Sequence, residues 1–272
     1  MLQNTKIAFI GPGVMAEAMI KGLLGKELLP ASQIVAAGLR QERLEVLKGK
    51  YSITITLNSA EAVVDADIVV LSIKPQMLSK VMQTIVGKIK PTSLVLSIIA
   101  GAKIEVLENG LSHPSVARAM PNTPAQIGEG MSVWTTSKSV SDDQRSQAKT
   151  ILGALGEEIF MEDENYLDMA TALSGTGPAY VFAFMEAMVD AGVHLGFPRY
   201  VSEKLVLQTV KGSVEYAMQS PDHLARLRNQ VTSPGGTSAE ALYYLDKAGF
   251  RTAISRAVWA AYQKSVLLGK GK

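Results

Sequence analysis

Cysteine is absent from this chain of 272 residues. Its absence excludes disulfide bonds, catalytic thiolates and zinc sites with cysteine ligands, and it fits a reducing compartment. Histidine is scarce as well. His113, His194 and His223 lie far apart in the sequence, and no pair has the spacing of a metal-binding helix. The sequence therefore predicts no metal site.

An excess of one charge is also missing, because 27 Lys and Arg residues accompany 25 Asp and Glu residues. The basic residues are spread along the chain, so they form no basic face for nucleic acid. The longest apolar stretch, Ala179–Leu195, contains Glu186 and Asp190, which argues against a membrane span. We expect a cytoplasmic protein that has neither nucleic acid nor a membrane as a partner.

Short apolar runs alternate with helical patterns through the first half of the chain. Ile68–Ile73 and Leu94–Ile99 are apolar at almost every position, as in strands buried on both faces of a parallel sheet. After about Glu162 the strand-like runs end and helical patterns continue. This pattern predicts an α/β fold, with an N-terminal Rossmann-like doubly wound sheet in residues 1–162 and an all-α C-terminal domain in residues 163–272.

A glycine-rich turn follows the first predicted strand directly. Residues 11–16 read Gly-Pro-Gly-Val-Met-Ala, the G-x-G-x-x-A pattern, and they open a helical pattern. In this context Gly11 makes the tight turn and Gly13 lets the backbone approach a dinucleotide pyrophosphate at the helix N-terminus. The alternative is a glycine-rich turn that binds nothing.

The end of the second predicted strand bears on the choice of cofactor. NAD sites usually carry an acidic residue there, but no acid occurs before Glu42. Arg40 and Arg43 are instead placed to meet a 2′-phosphate, whose geometry suits the guanidinium fork. We therefore predict NADPH as the cofactor, with NADH as the second choice. The alternative is that both arginines are solvated charges at a helix start.

The second half of the chain contains two segments rich in glycine and hydroxyl groups. Ser174–Tyr180 interrupts a helical pattern, and Pro178 suits the first turn of the next helix. Thr232–Ser238 precedes an amphipathic run and has the composition of an anion cradle at a helix N-terminus. Thr237 or Ser238 is also expected to act as the N-cap of that helix.

Five segments together carry a family resemblance. They are Ile73-Lys74-Pro75, Ala100-Gly101, Met120-Pro121-Asn122-Thr123-Pro124, Ser174–Tyr180 and Thr232–Ser238. With the glycine-rich turn, and in this order, they resemble the pyrroline-5-carboxylate reductase family over nearly the whole chain. The last segment is the most specific, whereas the glycine-rich turn is shared by many dehydrogenases.

The chain departs from the family pattern at two places. The family's final threonine is Ser238 here, and Thr237 fills the variable place before it, so a hydroxyl is kept. The family's cofactor-contacting asparagine aligns with either Asn58 or Ser59.

The resemblance implies an enzyme that reduces 1-pyrroline-5-carboxylate, a small cyclic imine, to L-proline in the last step of proline biosynthesis. It implies a Rossmann domain whose active site is completed by the helices of a partner subunit in an intertwined homodimer. Some members of the family assemble their dimers into rings. The apolar helix predicted at Pro178–Gly192 is a candidate for the buried interface.

The resemblance and the strand ends together give the predicted site. The catalytic residues are Ser238 and Thr237, and the substrate-binding residues are Ser233, Gly235, Gly236, Thr237 and Ser238. The cofactor-binding residues are Ile10, Gly11, Pro12, Gly13, Val14, Met15, Arg40, Asn58, Ser72, Ile73, Lys74, Pro75, Ala100, Gly101 and Asn122.

The sequence also bears on three other functions. The β-hydroxyacid dehydrogenases carry a lysine followed four residues later by asparagine, but here Lys204 precedes Gln208 and Lys211 precedes Glu215. An imine reductase for another ring stays open. A non-catalytic NADPH sensor would not need the hydroxyl-rich segment at Ser233–Ser238.

Overall fold

The computed structural model describes Leu2 and residues 4–269. In this part of the chain, no helix has both the length and the apolar character needed to cross a membrane.

The core of the N-terminal region is an eight-stranded sheet with the order β3-β2-β1-β4-β5-β6-β7-β8. The strands are β1 (Ile7–Ile10), β2 (Ile34–Ala37), β3 (Thr54–Thr56), β4 (Ile68–Leu71), β5 (Leu94–Ser97), β6 (Val116–Met120), β7 (Gly130–Thr136) and β8 (Gly156–Phe160). Six neighbouring strands from β3 to β6 run parallel. From β1 the chain adds β2 and β3 on one side of the sheet, and then crosses to add β4, β5 and β6 on the other side. The switch point between β1 and β4 is where doubly wound sheets bind ligands.

Helices cover both faces of this sheet. They are α1 (Val14–Gly25), α2 (Gln41–Tyr51), α3 (Ser59–Val64), α4 (Leu78–Ile85), α5 (Ile104–Leu111) and α6 (Asp142–Gly153). Side chains alternate across each strand, so Ile7 and Phe9 enter one apolar core while Ala8 and Ile10 enter the other. Burial on both faces explains why the central strands are apolar at almost every position.

Two strands, β7 and β8, run against the predicted parallel direction. β7 pairs antiparallel with β6, through Met120↔Val133 and the next three residue pairs, and then parallel with β8. The segment from Pro121 to Glu129 that joins β6 to β7 forms only a short 3₁₀ turn. A parallel crossover needs about a dozen residues or more, so this link returns the chain in the opposite direction.

The rest of the chain is helical, as the sequence predicts. The helices are α7 (Asn165–Ala170), α8 (Gly177–His194), α9 (Arg199–Gln219), α10 (Leu224–Gln230), α11 (Thr237–Lys247) and α12 (Phe250–Gly269). A π-helical segment, Thr171–Gly175, follows α7. The doubly wound sheet followed by an all-α region confirms the predicted fold class.

The chain forms two compact units. The first unit consists of the chain up to Thr176 and of the segment from Ala261 onward. The second unit is Gly177–Ala260. The sequence-based boundary after residue 162 lies earlier, at the point where strands end. The two divisions differ because α7 and the end of α12 make polar contacts with the sheet, as the Arg118 cluster described below shows.

Within the second unit, α8 and α9 meet at small residues. The buried Ser202 hydroxyl donates to the Val189 carbonyl at 2.8 Å, and Gly192 lies against the same serine. Asp190 pairs with Arg199 at 2.8 Å. This unit also presents large apolar side chains to its surface, among them Phe182, which is 60% exposed.

Candidate cofactor and substrate sites

A cleft of about 600 Å³ lies at the carboxyl edge of the sheet, where β1, β2, β3 and β4 end. Its lining contains these predicted cofactor residues: Ile10, Gly11, Pro12, Gly13, Arg40, Asn58, Ser72, Ile73 and Lys74. The remaining wall comes from Ala37, Gly38, Leu39, Arg43, Leu57, Ser59, Met77, Lys80, Val81 and Thr84. The sheet thus brings together the ends of four strands that are far apart in sequence.

The glycine turn has the geometry that the G-x-G pattern predicts. Gly11 has φ +85°, and a Cβ there would collide with Ile73, so no other residue fits without strain. Gly13 is the N-cap of α1 and offers no side chain to bond the first N–H groups. Those N–H groups and the helix dipole are therefore available to an anion.

Ser72 ties the turn to the neighbouring strand. Its hydroxyl donates to the carbonyls of Ile10 and Gly11 at 3.1 and 3.0 Å. The serine thereby fixes the β1 end against the β4 end, at the floor of the cleft.

The two arginines after β2 have different surroundings. Arg43 donates through Nε to the Pro12 carbonyl at 3.1 Å and through Nη2 to Glu17 at 2.6 Å. Arg40 is exposed on the cleft wall, and its side chain has no hydrogen bond or ion pair within the described part of the chain. Of the two, Arg40 is the one whose guanidinium remains free to meet a phosphate.

Both candidates for the ribose contact line the cleft. Asn58 is the N-cap of α3, where its side chain accepts the Ala60 N–H at 3.0 Å and donates to Glu61 at 2.9 Å. Ser59 follows as the first residue of that helix. The alignment of the family's asparagine with Asn58 or Ser59 therefore stays open.

Six predicted cofactor residues lie outside the lining of this cleft: Val14, Met15, Pro75, Ala100, Gly101 and Asn122. Asn122 uses its amide within the fold, donating to the Ser174 carbonyl at 3.1 Å and accepting the Met131 N–H at 2.9 Å. Gly101 is buried, and a Cβ there would come within 2.9–3.1 Å of Leu268 and Gly269 at the end of α12. The contacts of these six residues with a cofactor stay predictions.

The predicted substrate segment forms a tight turn that leads into α11. Gly236 N–H donates to the Ser233 carbonyl at 3.0 Å, and Gly235 between them has φ +70°. Pro234 and Gly235 fill the central positions, as a type II turn requires. The helix begins at Thr237, so its first N–H groups have no carbonyl acceptor within the helix.

The expected capping role of Thr237 or Ser238 is wrong. The N-cap is Gly236, and the two hydroxyl residues are the first and second residues of α11. Glycine serves as an N-cap almost as well as threonine does, which the composition of the segment could not reveal. The hydroxyl groups are consequently not needed for capping.

A buried charged cluster was missed from the sequence. Arg118 on β6 is 2% exposed and pairs with Glu164 at 2.8 Å and Asp168 at 3.3 Å. Asp168 also accepts the Ser265 hydroxyl at 2.8 Å, and Glu164 accepts the Ile104 N–H that opens α5. The one local signal was an arginine inside an apolar strand, since a fully buried arginine requires partners.

Comparison with family models matches both parts of the chain. Residues 164–268 match the model described as "Pyrroline-5-carboxylate reductase dimerisation". Residues 6–101 match the model described as "NADP oxidoreductase coenzyme F420-dependent".

Curated relatives match along almost the whole chain. The sequence is 38% identical to the pyrroline-5-carboxylate reductase of Synechocystis over 267 residues, which are 98% of this chain and 99% of that protein. It is 41% identical to the enzyme of the same name from Pseudomonas aeruginosa over 270 residues, 99% of this chain and 98% of that protein.

Solved structures give the same result. The crystal structure of Plasmodium falciparum pyrroline carboxylate reductase with NADP bound has a TM-score of 0.91 and 32% identity, covering 98% of this chain and 99% of that one. A reductive aminase from Aspergillus terreus has a TM-score of 0.62 over 98% of this chain and 93% of that one, but at 14% identity it shares the fold alone.

Proposed function

The chain belongs to the pyrroline-5-carboxylate reductase family, and on that premise we propose that it reduces 1-pyrroline-5-carboxylate to L-proline with NADPH. The observation that carries the proposal is similarity to the family's enzymes over the full length of the chain, together with two turns whose geometry suits an anion. One is the glycine turn before α1, and the other is the Ser233–Gly236 turn before α11.

The cleft residues fit a dinucleotide. A Cβ at Gly13 would meet only the Gly11 carbonyl, at 3.9 Å, so the turn is open beside this glycine, and the first N–H groups of α1 suit the pyrophosphate. The exposed Arg40 suits a 2′-phosphate, which favours NADPH over NADH. When bound, NADPH supplies the hydride that reduces the imine carbon. The predicted contacts of Lys74, Pro75, Ala100, Gly101 and Asn122 belong to the same proposal.

The segment before α11 suits the substrate. We assign the substrate carboxylate to the backbone N–H groups of residues 235–238, where the start of the helix offers donors and a favourable dipole. Ser238 then hydrogen-bonds the ring nitrogen through its hydroxyl, and Thr237 and Ser233 border the same turn. A donor at the ring nitrogen favours the protonated imine, whose carbon is the better hydride acceptor.

A homo-oligomer follows from the dimerisation model that residues 164–268 match. The proposed form is a homodimer in which the helices of one subunit complete the active site of the other. The exposed apolar side chains of the second unit, such as Phe182 and Leu195, support this assembly. A ring of such dimers and a cytoplasmic location are further parts of the proposal.

The deciding experiment follows NADPH oxidation at neutral pH with 1-pyrroline-5-carboxylate, with NADH in a parallel arm. We expect rapid oxidation, formation of proline, and a higher kcat/KM for NADPH than for NADH. If the folded protein binds NADPH but leaves this substrate unchanged, the substrate assignment is wrong, and other cyclic imines become the next substrates to assay. A higher kcat/KM with NADH would contradict the role of Arg40.

A further inference from the structure

We infer that Glu17 and Arg43 form a brace that holds the glycine turn in position for the cofactor's pyrophosphate. In this arrangement Arg43 is a positioning residue, and reading of the 2′-phosphate is left to Arg40. The inference rests on the proposed function, because it requires a dinucleotide in the cleft.

Arg43 is bound to the glycine turn itself. Its Nε donates to the Pro12 carbonyl at 3.1 Å, and its Nη2 lies 3.4 Å from the Gly13 carbonyl. The guanidinium reaches the two carbonyls and Glu17 from two nitrogens held in one plane, a spacing that the single nitrogen of a lysine does not reproduce. Arg43 therefore fixes the turn from the side of α2.

The direction of these carbonyls matters for an anion. A trans peptide holds its N–H opposite to its C=O, so the direction of the Gly13 carbonyl fixes the direction of the Val14 N–H. Val14 is the first residue of α1, and its N–H has no acceptor within that helix. The Gly13 carbonyl also accepts the Glu17 N–H at 3.0 Å, so Arg43 and the first turn of α1 hold it together, and the Val14 N–H points the opposite way.

Glu17 in turn holds Arg43. On the first turn of α1 its carboxylate accepts Arg43 Nη2 at 2.6 Å, Lys50 Nζ at 2.8 Å and the Tyr51 hydroxyl at 3.0 Å. All three donors come from α2, and the carboxylate is 21% exposed. The hydrogen bonds from Lys50 and then Arg43 hold the pKa of Glu17 at about 2, so the carboxylate stays charged wherever the enzyme operates.

The charges of this network suit a nearby pyrophosphate. Glu17 alone would repel an incoming anion, but Arg43 and Lys50 both pair with it. The network of one anion and two cations is positive overall. Because Arg43 is already bound to Glu17 and the turn, the unpaired Arg40 is left for the 2′-phosphate.

The dissociation constants of three probes distinguish a brace from a 2′-phosphate ligand and from a general fold contact. NADPH carries both the pyrophosphate and the 2′-phosphate, NADH carries only the pyrophosphate, and adenosine 2′-monophosphate carries the 2′-phosphate with no phosphate on its 5′ carbon. Each probe is titrated into Glu17→Gln, and the Kd values of NADPH and NADH should both rise by the same factor, about threefold to tenfold for a weakened hydrogen-bonded contact. The Kd of the 2′-monophosphate should stay within twofold of the wild-type value.

Two further variants complete the test. Arg43→Lys keeps the charge but loses the fork, so it should show the same pattern and provides a second result if Glu17→Gln does not fold. Arg40→Ala is the matched control, and it should weaken the binding of NADPH and of the 2′-monophosphate while leaving the binding of NADH unchanged.

Two results would overturn the inference. A loss of binding confined to NADPH and the 2′-monophosphate would make Arg43 a 2′-phosphate ligand. Equal weakening of all three probes would make the pair a general fold contact. Failure of the proposed function is seen separately, in the wild-type protein, as binding of NADPH without turnover of 1-pyrroline-5-carboxylate.

Discussion

Ser238 combines two donors at one position, a hydroxyl and a backbone N–H in the first turn of α11. Since Gly236 already caps the helix, the proposed bond from this hydroxyl to the ring nitrogen of the substrate does not compete with capping. We expect Ser238→Ala to lower kcat/KM by about tenfold to a thousandfold, the usual loss for one important transition-state hydrogen bond. Steady-state kinetics with 1-pyrroline-5-carboxylate measures this.

Ser238→Thr is the matched control, because it keeps the hydroxyl in the form that the resemblance to the family implies. Its kcat/KM should stay near the wild-type value, and NADPH binding should be unchanged in both variants. An unchanged kcat/KM in Ser238→Ala would remove this residue from the mechanism.

Glu17 also has a consequence for stability. Its pKa is about 2 in the folded chain and 4.5 in its ordinary state, so the folded state favours the ionised form. The resulting stabilisation is fully present above pH 4.5 and is lost as the pH falls through about 2. We expect wild-type protein to lose roughly 1–3 kcal/mol more unfolding free energy than Glu17→Gln does between pH 5 and pH 2.5. Urea unfolding at several pH values measures the difference, and parallel curves for the two proteins would contradict it.

Residues whose role depends on local backbone geometry were predictable from the sequence. Gly11 and Gly13 were found because a strand, a turn and a helix in succession leave few alternatives. The difference between Arg40 and Arg43 was not predictable. It depends on Glu17, a residue that faces α2 only after both helices have packed.

At the scale of elements, the Arg118 cluster joins β6, the start of α5, α7 and the end of α12. Removing the buried cation leaves two carboxylates without their partner. We expect Arg118→Met to lower the unfolding free energy by about 3–5 kcal/mol. Ser265→Ala removes only one hydrogen bond to Asp168 and should cost about 1 kcal/mol.

Urea unfolding of the purified variants tests both values. Lys264→Ala, at an exposed neighbouring position on α12, is the control and should lie within about 0.5 kcal/mol of wild type. If Arg118→Met were as stable as Lys264→Ala, the cluster would have no part in stability.

Helices and strands were predicted correctly where the hydrophobic pattern was long or wholly apolar. The prediction failed where the structure depends on residues distant in sequence. β5 lies within the apolar run Leu94–Ile99 that predicted it, and α8 (Gly177–His194) contains the predicted helix Pro178–Gly192. The antiparallel direction of β7 was missed because alternating side chains do not encode strand direction. The short helices α3, α4 and α5 have too few turns for periodicity to identify them.

At the scale of the whole molecule, the second unit cannot bury its own apolar surface. Phe182, Leu195 and Tyr200 are 60%, 82% and 74% exposed. Patches of this kind mark contact surfaces in proteins. We expect wild-type protein to have at least twice the 29.1 kDa mass of the chain in light scattering, and Phe182→Glu to shift the mass toward the monomer.

Val46→Glu is the control for the added charge. Val46 lies on α2 and is 56% exposed, so the substitution should not change the measured mass. A wild-type protein of monomer mass would contradict the dimer, and a mass of several dimers would support a ring.

Gly101 and the last residues of α12 occupy one small volume, although most of the chain separates them in sequence. In evolutionary terms the two sites cannot drift independently. An alanine at position 101 collides with the helix backbone as long as Leu268 and Gly269 keep their places. In a descendant protein, Gly101 can therefore be replaced only after a change that shifts the end of α12. The change in the helix comes first and the change of the glycine second.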